Sequence, residues 1–499
     1  MSKKPNILMI YADQMRYDCM GCSGNPDVKT PNIDRLAQEG VCFDEAFTSY
    51  PLCTPFRASL LTGKYAHEAG LYSNHFPINT DQPSLAPYLN SIGYQSGYIG
   101  KWHLFGGPKP GFVPPGPDRM GFDHFVGYNR GHQYMDAIFY RDTDQPYHCK
   151  RYEPDFQTDH AIEFMDKVQS ESDDPFYAYI CFGPPHFPMD MPENWRNMYD
   201  PDAITLPKGT PNPELQKRRT QERTLLDFDG DDRFGERSKA DKIEGQDREI
   251  ETEQQIRKFV AEYYGMISNI DFNVGRLLSW LDAKGLAEDT LVIFFSDHGD
   301  MLGQHGSYCG LKRQAYRSSA HVPLMVRYPG KVAQNKRVSS LVDVAVDTMP
   351  TLLEVCGLEV PKDVQGRSYL SLLRDGPDTA TRDHVQYQVM KADFGGRPER
   401  HVKPERGIRT PEWLYVRKKD RPLYLFDQIN DPDEVFNLVD DPAYATVQAE
   451  LDARVLANMA ETGDGWDLEM DFPPPGYMTH AEAHQHLLTT IKPAAIEVL

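Results

Sequence analysis

The stretch NILMIYADQ, residues 6–14, decides the fold of this chain. It is an almost continuous apolar run that ends abruptly at Asp13 and Gln14, as expected of a strand buried on both faces. Two later runs have the same form. TLVIFFS (residues 290–296) is followed by Asp297 and His298, and FYAYICF (residues 176–182) is followed by GPPH, which ends at His186.

Helix-like segments lie between these strands, at residues 30–39, 84–92 and 262–284. Strands that alternate with helices predict an α/β fold with a large mixed, mostly parallel sheet flanked by helices. In such folds ligands bind beyond the carboxyl ends of the strands. Because all three apolar runs bring polar residues to that edge, we expect the functional site there.

Two other parts of the chain differ from this pattern. Residues 208–258 are crowded with charged side chains and predict a solvated insertion, for which a charged surface face is the usual interpretation and a substrate lid the alternative. The pattern breaks near residues 376–382, so we predict a catalytic domain over residues 1–376 and a C-terminal subdomain over 377–499. Strand-like pieces at 413–416 and 423–426 predict an antiparallel sheet in this smaller α+β subdomain.

The composition limits the classes of partner. The chain has 499 residues, 40% of them hydrophobic and 25% charged, which is ordinary for a globular protein of one or two domains. Its net charge of −21 argues against nucleic acid and anionic membranes as partners. The N-terminal apolar run is too short for a signal peptide, so we expect a cytoplasmic protein. The oligomeric state is not predicted.

The cysteines are scattered through the sequence. Eight in a chain of this length do not predict a disulfide framework. Cys19 and Cys22 form a Cys-x-x-Cys pair, but no second pair completes a zinc site. We therefore interpret that pair as structural.

The polar residues at the strand ends are suited to a metal ion. Asp13, Gln14, Asp297 and His298 offer oxygen ligands and one imidazole. Hard divalent cations prefer oxygen ligands, which favours Ca²⁺ and permits Mg²⁺, whereas the imidazole also suits Mn²⁺ or zinc. Either pair alone would be a commonplace loop feature. Together, at the ends of buried strands, they predict one divalent cation.

Three further segments carry cationic or titratable side chains. Lys101 and His103 are two residues apart, so in an extended segment both would face the same side. His186 lies in PHFP, where flanking prolines restrict the backbone. Lys312, in GLKRQAY (residues 310–316), follows the Asp297 loop closely enough to fold back over the metal. Taken singly, each would ordinarily be interpreted as a solvated lysine or a packed histidine.

A motif near the N-terminus points to a family. CTPFR (residues 53–57) has a cysteine two residues before a proline and four before an arginine, and ASLLTG follows. This resembles the recognition core of the type I sulfatases of the alkaline phosphatase-like superfamily. TPNIDRL (30–36), VQGRS (364–368) and LFDQINDPDE (425–434) also look like blocks of that family, so the resemblance covers nearly the whole chain.

The resemblance implies a modified nucleophile and a metal. In that family a maturation enzyme oxidises the cysteine, here Cys53, to Cα-formylglycine, and the aldehyde hydrate is the nucleophile. By position, the ligands of a calcium ion would be Asp13, Gln14, Asp297, His298 and the modified Cys53.

The resemblance also implies roles for the surrounding side chains. Arg57 would steady the hydrate, and Lys101 and Lys312 would hold sulfate oxygens. His103 would act as a base on the hydrate, and His186 would contact the sulfate and help to protonate the leaving oxygen. The scheme is chemically reasonable, because a sulfate ester needs a metal and cations to offset its charge, and a base lets the hydrate expel sulfate.

Two departures concern the substrate. Arg317 and His321 stand where many relatives have glutamate and arginine. A cation gained near Lys312 would favour a substrate with a second negative group, although a structural ion pair is the more common role for such an arginine. His132, in NRGHQY (residues 129–134), could line a sugar subsite.

The resemblance therefore implies hydrolysis of sulfate monoesters, on a small molecule or an oligosaccharide of the sulfated carbohydrate class, with release of inorganic sulfate. The nearest alternative is a phosphonate monoester or phosphodiester hydrolase on the same scaffold. A binding protein with a degenerate site is the alternative from another class, and failure to bind metal would favour it. The sugar and the position of its sulfate are not predicted.

Overall fold

The computed structural model describes residues 4–71, 73–74, 76–106, 110–212, 252–375, 382–390 and 404–466. Its strands, numbered in chain order, are β1 (Asn6–Asp13), β2 (Val41–Phe43), β3 (Ala46–Phe47), β4 (Gln95–Lys101), β5 (His124–Tyr128), β6 (Ala137–Phe139), β7 (Tyr147–Cys149), β8 (Phe176–Pro185), β9 (Thr290–Ser296), β10 (Leu324–Arg327), β11 (Lys336–Val338), β12 (Val342–Asp343), β13 (Val385–Val389), β14 (Glu405–Arg409), β15 (Trp413–Lys418) and β16 (Pro422–Asp427).

Eight of these strands form the main sheet, in the order β11-β2-β10-β9-β1-β8-β4-β5. The central strand β1 pairs in parallel with both β8 and β9, and β4 pairs in parallel with β8 and β5. Only β10 runs antiparallel to its neighbours, β9 and β2. The predicted mixed, mostly parallel α/β sheet is confirmed.

The α-helices are α1 (Pro31–Glu39), α2 (Cys53–Thr62), α3 (Leu85–Asn90), α4 (Glu153–Glu171), α5 (Glu193–Arg196), α6 (Glu253–Lys284), α7 (Arg317–Ala320), α8 (Val344–Val355) and α9 (Ala445–Thr462). Among the described helices, none is long and apolar enough to serve as a bilayer-spanning segment.

Helix α6 begins nine residues earlier than the sequence pattern indicates. Thr252 and Gln255 form a capping box at its start, and the buried Ile256 and Phe259 place its first turns against the core. The surrounding charges obscure this amphipathic pattern in the sequence. The end of the predicted insertion is therefore helical, whereas residues 213–251 lie outside the described residues.

The central strand shows why its sequence is a continuous apolar run. Ile7, Met9 and Tyr11 point into one hydrophobic core, and Leu8 and Ile10 point into a second core on the opposite face. Alternate side chains of a strand face opposite sides of its sheet, so a sheet covered on both faces needs apolar residues at every position.

The C-terminal part contains the predicted antiparallel sheet, in the order β13-β14-β15-β16. Leu414, Val416 and Phe426 on one face join the core of the main sheet. The other face, which includes Tyr415 and Leu425, packs against α9. The predicted boundary at 376 stays a prediction, because residues 376–381 lie outside the described part of the chain.

The register of the central strands positions the site. Ala12 is level with Phe182 on β8 and Ser296 on β9, and a register shift follows between Ala12 and Asp13. The carboxyl ends of the three strands therefore lie side by side. The polar residues that follow the three apolar runs meet at this edge.

Candidate active site

Cys53 is the first residue of α2, and every side chain of that helix is buried. The cysteine is only 1% exposed. The N-terminus of a helix carries a partial positive charge, which favours a negatively charged group there. Burial and the Asp13 carboxylate raise the pKa of the Cys53 thiol, but Lys312, Lys101 and His298 outweigh them, and the pKa is lowered.

Four predicted ligand residues meet beside this helix end. Asp13, Cys53, Asp297 and His298 each offer one ligand atom, and these atoms lie within 4.8 Å of one another. Cys53 Sγ is 3.3 Å from His298 Nε2 and 3.7 Å from Asp13 Oδ1. All four residues are buried. Their shared position follows from the level ends of β1 and β9 and from the start of α2.

The donor set fits a divalent cation. His298 Nδ1 donates a hydrogen bond to Gly299 O (3.0 Å), which leaves Nε2 free to face the cluster as a metal ligand would. Asp297 Oδ2 is buried, accepts no hydrogen bond of good geometry among the described residues, and lies 3.2 Å from His298 Nε2. Burial lowers the pKa of His298, but the Asp297 carboxylate outweighs it and raises the pKa to about 9. In the metal-free protein His298 would therefore carry a proton on the nitrogen that would otherwise bind a metal.

Gln14 is oriented by a residue that the sequence reasoning missed. Gln14 Nε2 donates to Asp300 Oδ2 (2.7 Å), so Oε1 points the other way, where it accepts from Lys312 Nζ (3.0 Å). Asp300 Oδ1 accepts from the backbone N–H groups of Leu302 and Gly310. The available signal was the position of Asp300 in the loop DHGD, directly after β9.

Asp13 is held between two cations. Lys101 Nζ donates to Asp13 Oδ2 at 2.6 Å, and an Arg57 guanidinium nitrogen donates to the same oxygen at 3.2 Å. Burial raises the pKa of Asp13, but Lys101, His186 and Arg57 outweigh it and hold the pKa well below its usual range. Arg57 also stacks over the ring of Tyr11, with its guanidinium carbon 4.5 Å from the ring centre.

Lys312 folds back over the cluster, as the sequence predicts. Its Nζ lies 3.2 Å from Cys53 Sγ and 2.7 Å from His186 Nε2. The imidazole accepts this hydrogen bond through Nε2, and its Nδ1 donates to Phe187 O (2.6 Å). Burial lowers the pKa of His186 well below the usual range, and the Lys312 charge lowers it further.

His103 enters the site by a different geometry from the expected extended segment. Strand β4 ends at Lys101, and His103 has a φ of 60°, in the left-handed region. The two side chains are therefore not alternate residues of one strand, and the inference from strand alternation was wrong. His103 Nε2 lies 3.2 Å from Asn74 O, and burial, Lys101 and Arg130 hold the pKa of His103 well below its usual range.

The structure brings His132 into the cluster. Its Nε2 lies 3.2 Å from Lys101 Nζ, and its ring stacks on that of His186 with 3.8 Å between centres. His132 is 7% exposed. It therefore lies beside the buried Lys101 and His186. No sequence signal indicated this contact with His186.

Arg317 takes part in a structural ion pair, which is one of the two roles that the sequence left open. Its guanidinium forms an ion pair with Glu45 (2.9 Å), and its backbone N–H donates to Glu434. His321 stacks between the rings of Tyr17 and Phe47. Both residues thus contact the body of the protein.

The remaining cysteines take no part in the cluster. None of the eight cysteines, all of which lie in the described part of the chain, forms a disulfide. Cys19 is buried, with Sγ 3.7 Å from Asp18 Oδ1, and Cys22 is partly buried. Cys181 Sγ accepts a hydrogen bond from Arg57 (3.1 Å).

Comparison with known proteins agrees with this fold and site. Residues 5–358 match the model of the sulfatase family, and residues 303–461 match that of the C-terminal region of N-sulphoglucosamine sulphohydrolase. The chain therefore belongs to the sulfatase family, on the alkaline phosphatase-like scaffold. It is a sulfuric ester hydrolase, and several of its relatives are named as sulfatases.

One relative is an ulvan-active sulfatase from Formosa agariphila, 33% identical over 466 residues that cover 92% of this chain and 82% of the relative. A second similar protein has been solved in complex with its substrate, D-glucosamine-2-N,6-O-disulfate. It is 26% identical in sequence and superposes with a TM-score of 0.75, and the match covers 92% of this chain and 98% of that one. The phosphonate monoester hydrolase of Agrobacterium radiobacter is 27% identical with a TM-score of 0.75, over 92% of this chain and 96% of that one.

Proposed function

We propose that this protein hydrolyses sulfate monoesters of a carbohydrate through a formylglycine derived from Cys53 and releases inorganic sulfate. The observation that supports this most directly is the setting of Cys53. It lies at the buried start of a helix, among three metal-ligand side chains and beside Lys312. An unmodified thiol in such a place could attack sulfur, but it could not release sulfate by a second deprotonation. A formylglycine hydrate supplies one hydroxyl as nucleophile and a second whose loss of a proton expels sulfate.

The metal and the ligand residues form the first part of this proposal. Asp13, Gln14, Asp297 and His298, with the modified Cys53, would hold one divalent cation, for which Ca²⁺ is the first candidate and Mg²⁺ or Mn²⁺ the alternatives. When bound, the cation would offset charge on the nucleophile and on sulfate oxygens.

The cations of the chain would bind the sulfate group. Lys101 and Lys312 lie within hydrogen-bond distance of Asp13 and Cys53 respectively, so both ammonium groups border the position of the nucleophile. Hydrogen-bond donors fixed in place before substrate arrives stabilise the charge that develops in the transition state. The net charge of −21 disfavours the approach of an anionic substrate to the protein as a whole. The local concentration of positive charge would attract such a substrate to the site itself.

The two histidines would move protons. The low pKa of His103 keeps its imidazole neutral, as a base must be, and its Nδ1 has no hydrogen-bond partner among the described residues. His186 Nε2 accepts a hydrogen bond from Lys312 and would lie near the leaving oxygen of a bound ester, so it would help to protonate that oxygen with the proton that Lys312 supplies. Arg57 would steady the modified residue through its contact with Asp13.

The substrate class rests on the relatives. One is named for activity on ulvan, and one solved structure holds a sulfated glucosamine. We therefore propose a sulfated sugar or oligosaccharide as substrate. A phosphonate monoester hydrolase is the second candidate, because a protein of that activity has the same fold at 27% identity.

Mass spectrometry of the peptide that contains Cys53 tests the modification. In protein from a host that has a formylglycine-generating enzyme, we expect an aldehyde at Cys53 and an intact thiol at Cys181, which serves as an internal control because it is buried in the same site. Aryl sulfate and aryl phosphonate esters are then compared as substrates. An intact thiol at Cys53 in fully active protein would refute the mechanism, and faster turnover of the phosphonate would favour the second candidate.

A further inference from the structure

A set of buried side chains lies next to Lys101 and His186, and the proposed mechanism does not use it. It consists of His132, Tyr134, Tyr128 and Glu153, each at most 7% exposed. We call these four residues the support layer. They connect the loop that follows β5 to the end of β8 and the start of α4.

The hydrogen bonds of the support layer have fixed directions. A lysine ammonium can only donate, so His132 Nε2 must accept from Lys101 Nζ (3.2 Å). His132 Nδ1 then carries the hydrogen and donates to Tyr134 Oη (2.8 Å). The Tyr134 hydroxyl in turn donates to Gly183 O (3.2 Å). The chain of donors therefore selects one tautomer and one ring orientation of His132.

His186 has the same arrangement. Its Nε2 accepts from Lys312, and its Nδ1 donates to Phe187 O. The rings of His132 and His186 stack at 3.8 Å with 19° between their planes. Two lysines thus each donate to one imidazole of a stacked pair, and a rotation of His132 would disturb both.

Glu153 of the support layer, at the start of α4, packs closely against Gly183, near the end of β8. Glu153 Oε1 accepts from Tyr128 Oη (3.0 Å), Gln157 Nε2 (2.9 Å) and the N–H of Gly183 (3.2 Å). A Cβ atom on Gly183 would lie 2.6 Å from Tyr134 Cε1 and 2.7 Å from Glu153 Oε1. The close fit leaves room only for glycine, three residues before His186.

We propose that Tyr134 is a positioning residue. Through His132 it fixes the ammonium of Lys101 and supports the ring of His186. The proposal rests on the proposed function, in which Lys101 holds a sulfate oxygen and His186 helps to protonate the leaving oxygen with the proton that Lys312 supplies. It assigns His132 a support role beside the sulfate site, in place of contact with a sugar.

Tyr134→Phe tests the proposal, with Tyr152→Phe as the matched control. Tyr152 packs in the same buried cluster as Tyr134, and its hydroxyl has no hydrogen-bond partner among the described residues. Tyr134→Phe removes the hydroxyl that accepts from His132 and donates to Gly183. We expect this loss of buried hydrogen bonds to lower kcat about tenfold, while the KM of an aryl sulfate changes less. Tyr152→Phe should retain full kcat. Equal kcat values in the two variants would overturn the proposal.

A second pair of variants separates hydrogen bonding from packing. His132→Gln keeps a donor and an acceptor, whereas His132→Phe keeps the flat ring that stacks on His186. If His132 acts through its hydrogen bonds, the glutamine variant retains more activity at equal thermal stability. If the phenylalanine variant is the more active, His132 only fills space and the proposal fails.

Binding of inorganic sulfate keeps this test separate from that of the proposed function. Titration calorimetry on each variant measures the dissociation constant of sulfate, which depends on Lys101 whether or not a sulfate ester is the true substrate. We expect a several-fold weaker affinity for Tyr134→Phe and no change for Tyr152→Phe. If the protein shows this pattern of sulfate affinities but hydrolyses no sulfate ester, only the proposed function is refuted. If Tyr134→Phe binds sulfate as tightly as the native protein, the positioning role is refuted.

Discussion

Asp300→Asn should weaken metal binding by turning Gln14, a proposed ligand, although Asp300 is not itself a proposed ligand. In the native protein Asp300 Oδ1 accepts two backbone N–H groups, and Oδ2 accepts from Gln14 Nε2. An asparagine would keep its oxygen on the two backbone donors and turn its NH₂ group toward Gln14. Donor would then face donor, so the Gln14 amide should rotate and present NH₂, instead of oxygen, to Lys312 and the metal.

The expected loss of metal affinity is large enough to measure, and a second substitution should reverse it. Loss of a partner that orients a metal ligand costs about 10- to 100-fold in affinity, or about 1.4–2.8 kcal/mol. Gln14→Glu alone should also fail, because two carboxylates in contact repel by about 4 kcal/mol at an effective dielectric of about 20. The double variant Gln14→Glu/Asp300→Asn restores a donor opposite an acceptor, and should bind metal better than either single variant.

Isothermal titration of metal-free protein with Ca²⁺ or Mn²⁺ measures these affinities. Asp271→Asn is the matched control, because Asp271 also accepts from two backbone N–H groups and one amide side chain, those of Asn32 and Ile33, at the start of α1. It should lower stability and leave metal affinity unchanged. Metal affinity in Asp300→Asn within twofold of the native value, or no recovery in the double variant, would refute the reasoning.

Three further predictions concern charge. Arg317→Ala should cost about 1 kcal/mol of stability, because it removes the ion pair with Glu45. It should leave the preference between aryl sulfate and polysulfated sugars unchanged. A changed preference would show that Arg317 contacts the substrate. Burial raises the pKa of the Glu153 carboxyl to about 8, from about 4.3 in an unfolded chain. The folded state therefore holds this proton more tightly, which stabilises the protein at low pH, and the stabilisation is lost as pH rises toward 8. The melting temperature of Glu153→Gln relative to the native protein should therefore rise from pH 5 to pH 8.5, and a flat difference would show that this carboxyl does not titrate there. Arg406→Met should lower stability by about 3–5 kcal/mol, because it leaves the buried Asp464 without its cation, and Arg406→Met/Asp464→Leu should recover most of that loss in denaturant unfolding.

The main sheet could be predicted because its strands are buried on both faces. A short, continuous apolar run such as residues 290–296 is typical of a strand of this kind, and the observed strand β9 has the same bounds. The start of α6 could not be predicted in this way. Its capping box at Thr252 lies in a stretch so charged that the apolar period is hidden until Ile256.

The cluster around Cys53 could be predicted only as a set of residue types. The strand ends identified Asp13, Asp297 and His186, because sheet geometry brings such residues together. The orientation of Gln14 depends on Asp300, and that of His132 on Tyr134. Such contacts arise from loop conformations that the sequence pattern does not encode, and the left-handed φ of His103 is a further example.

The order of strands in the main sheet bears on synthesis at the ribosome. Strand β1 leaves the ribosome first, but its two neighbours start only at Phe176 and Thr290. A nascent chain shorter than that carries an unpaired apolar edge, which invites aggregation and makes folding slow. For the same interval the segment around Cys53 has no sheet to be buried against. An enzyme that modifies this cysteine would find it accessible then, whereas in the finished protein it is enclosed.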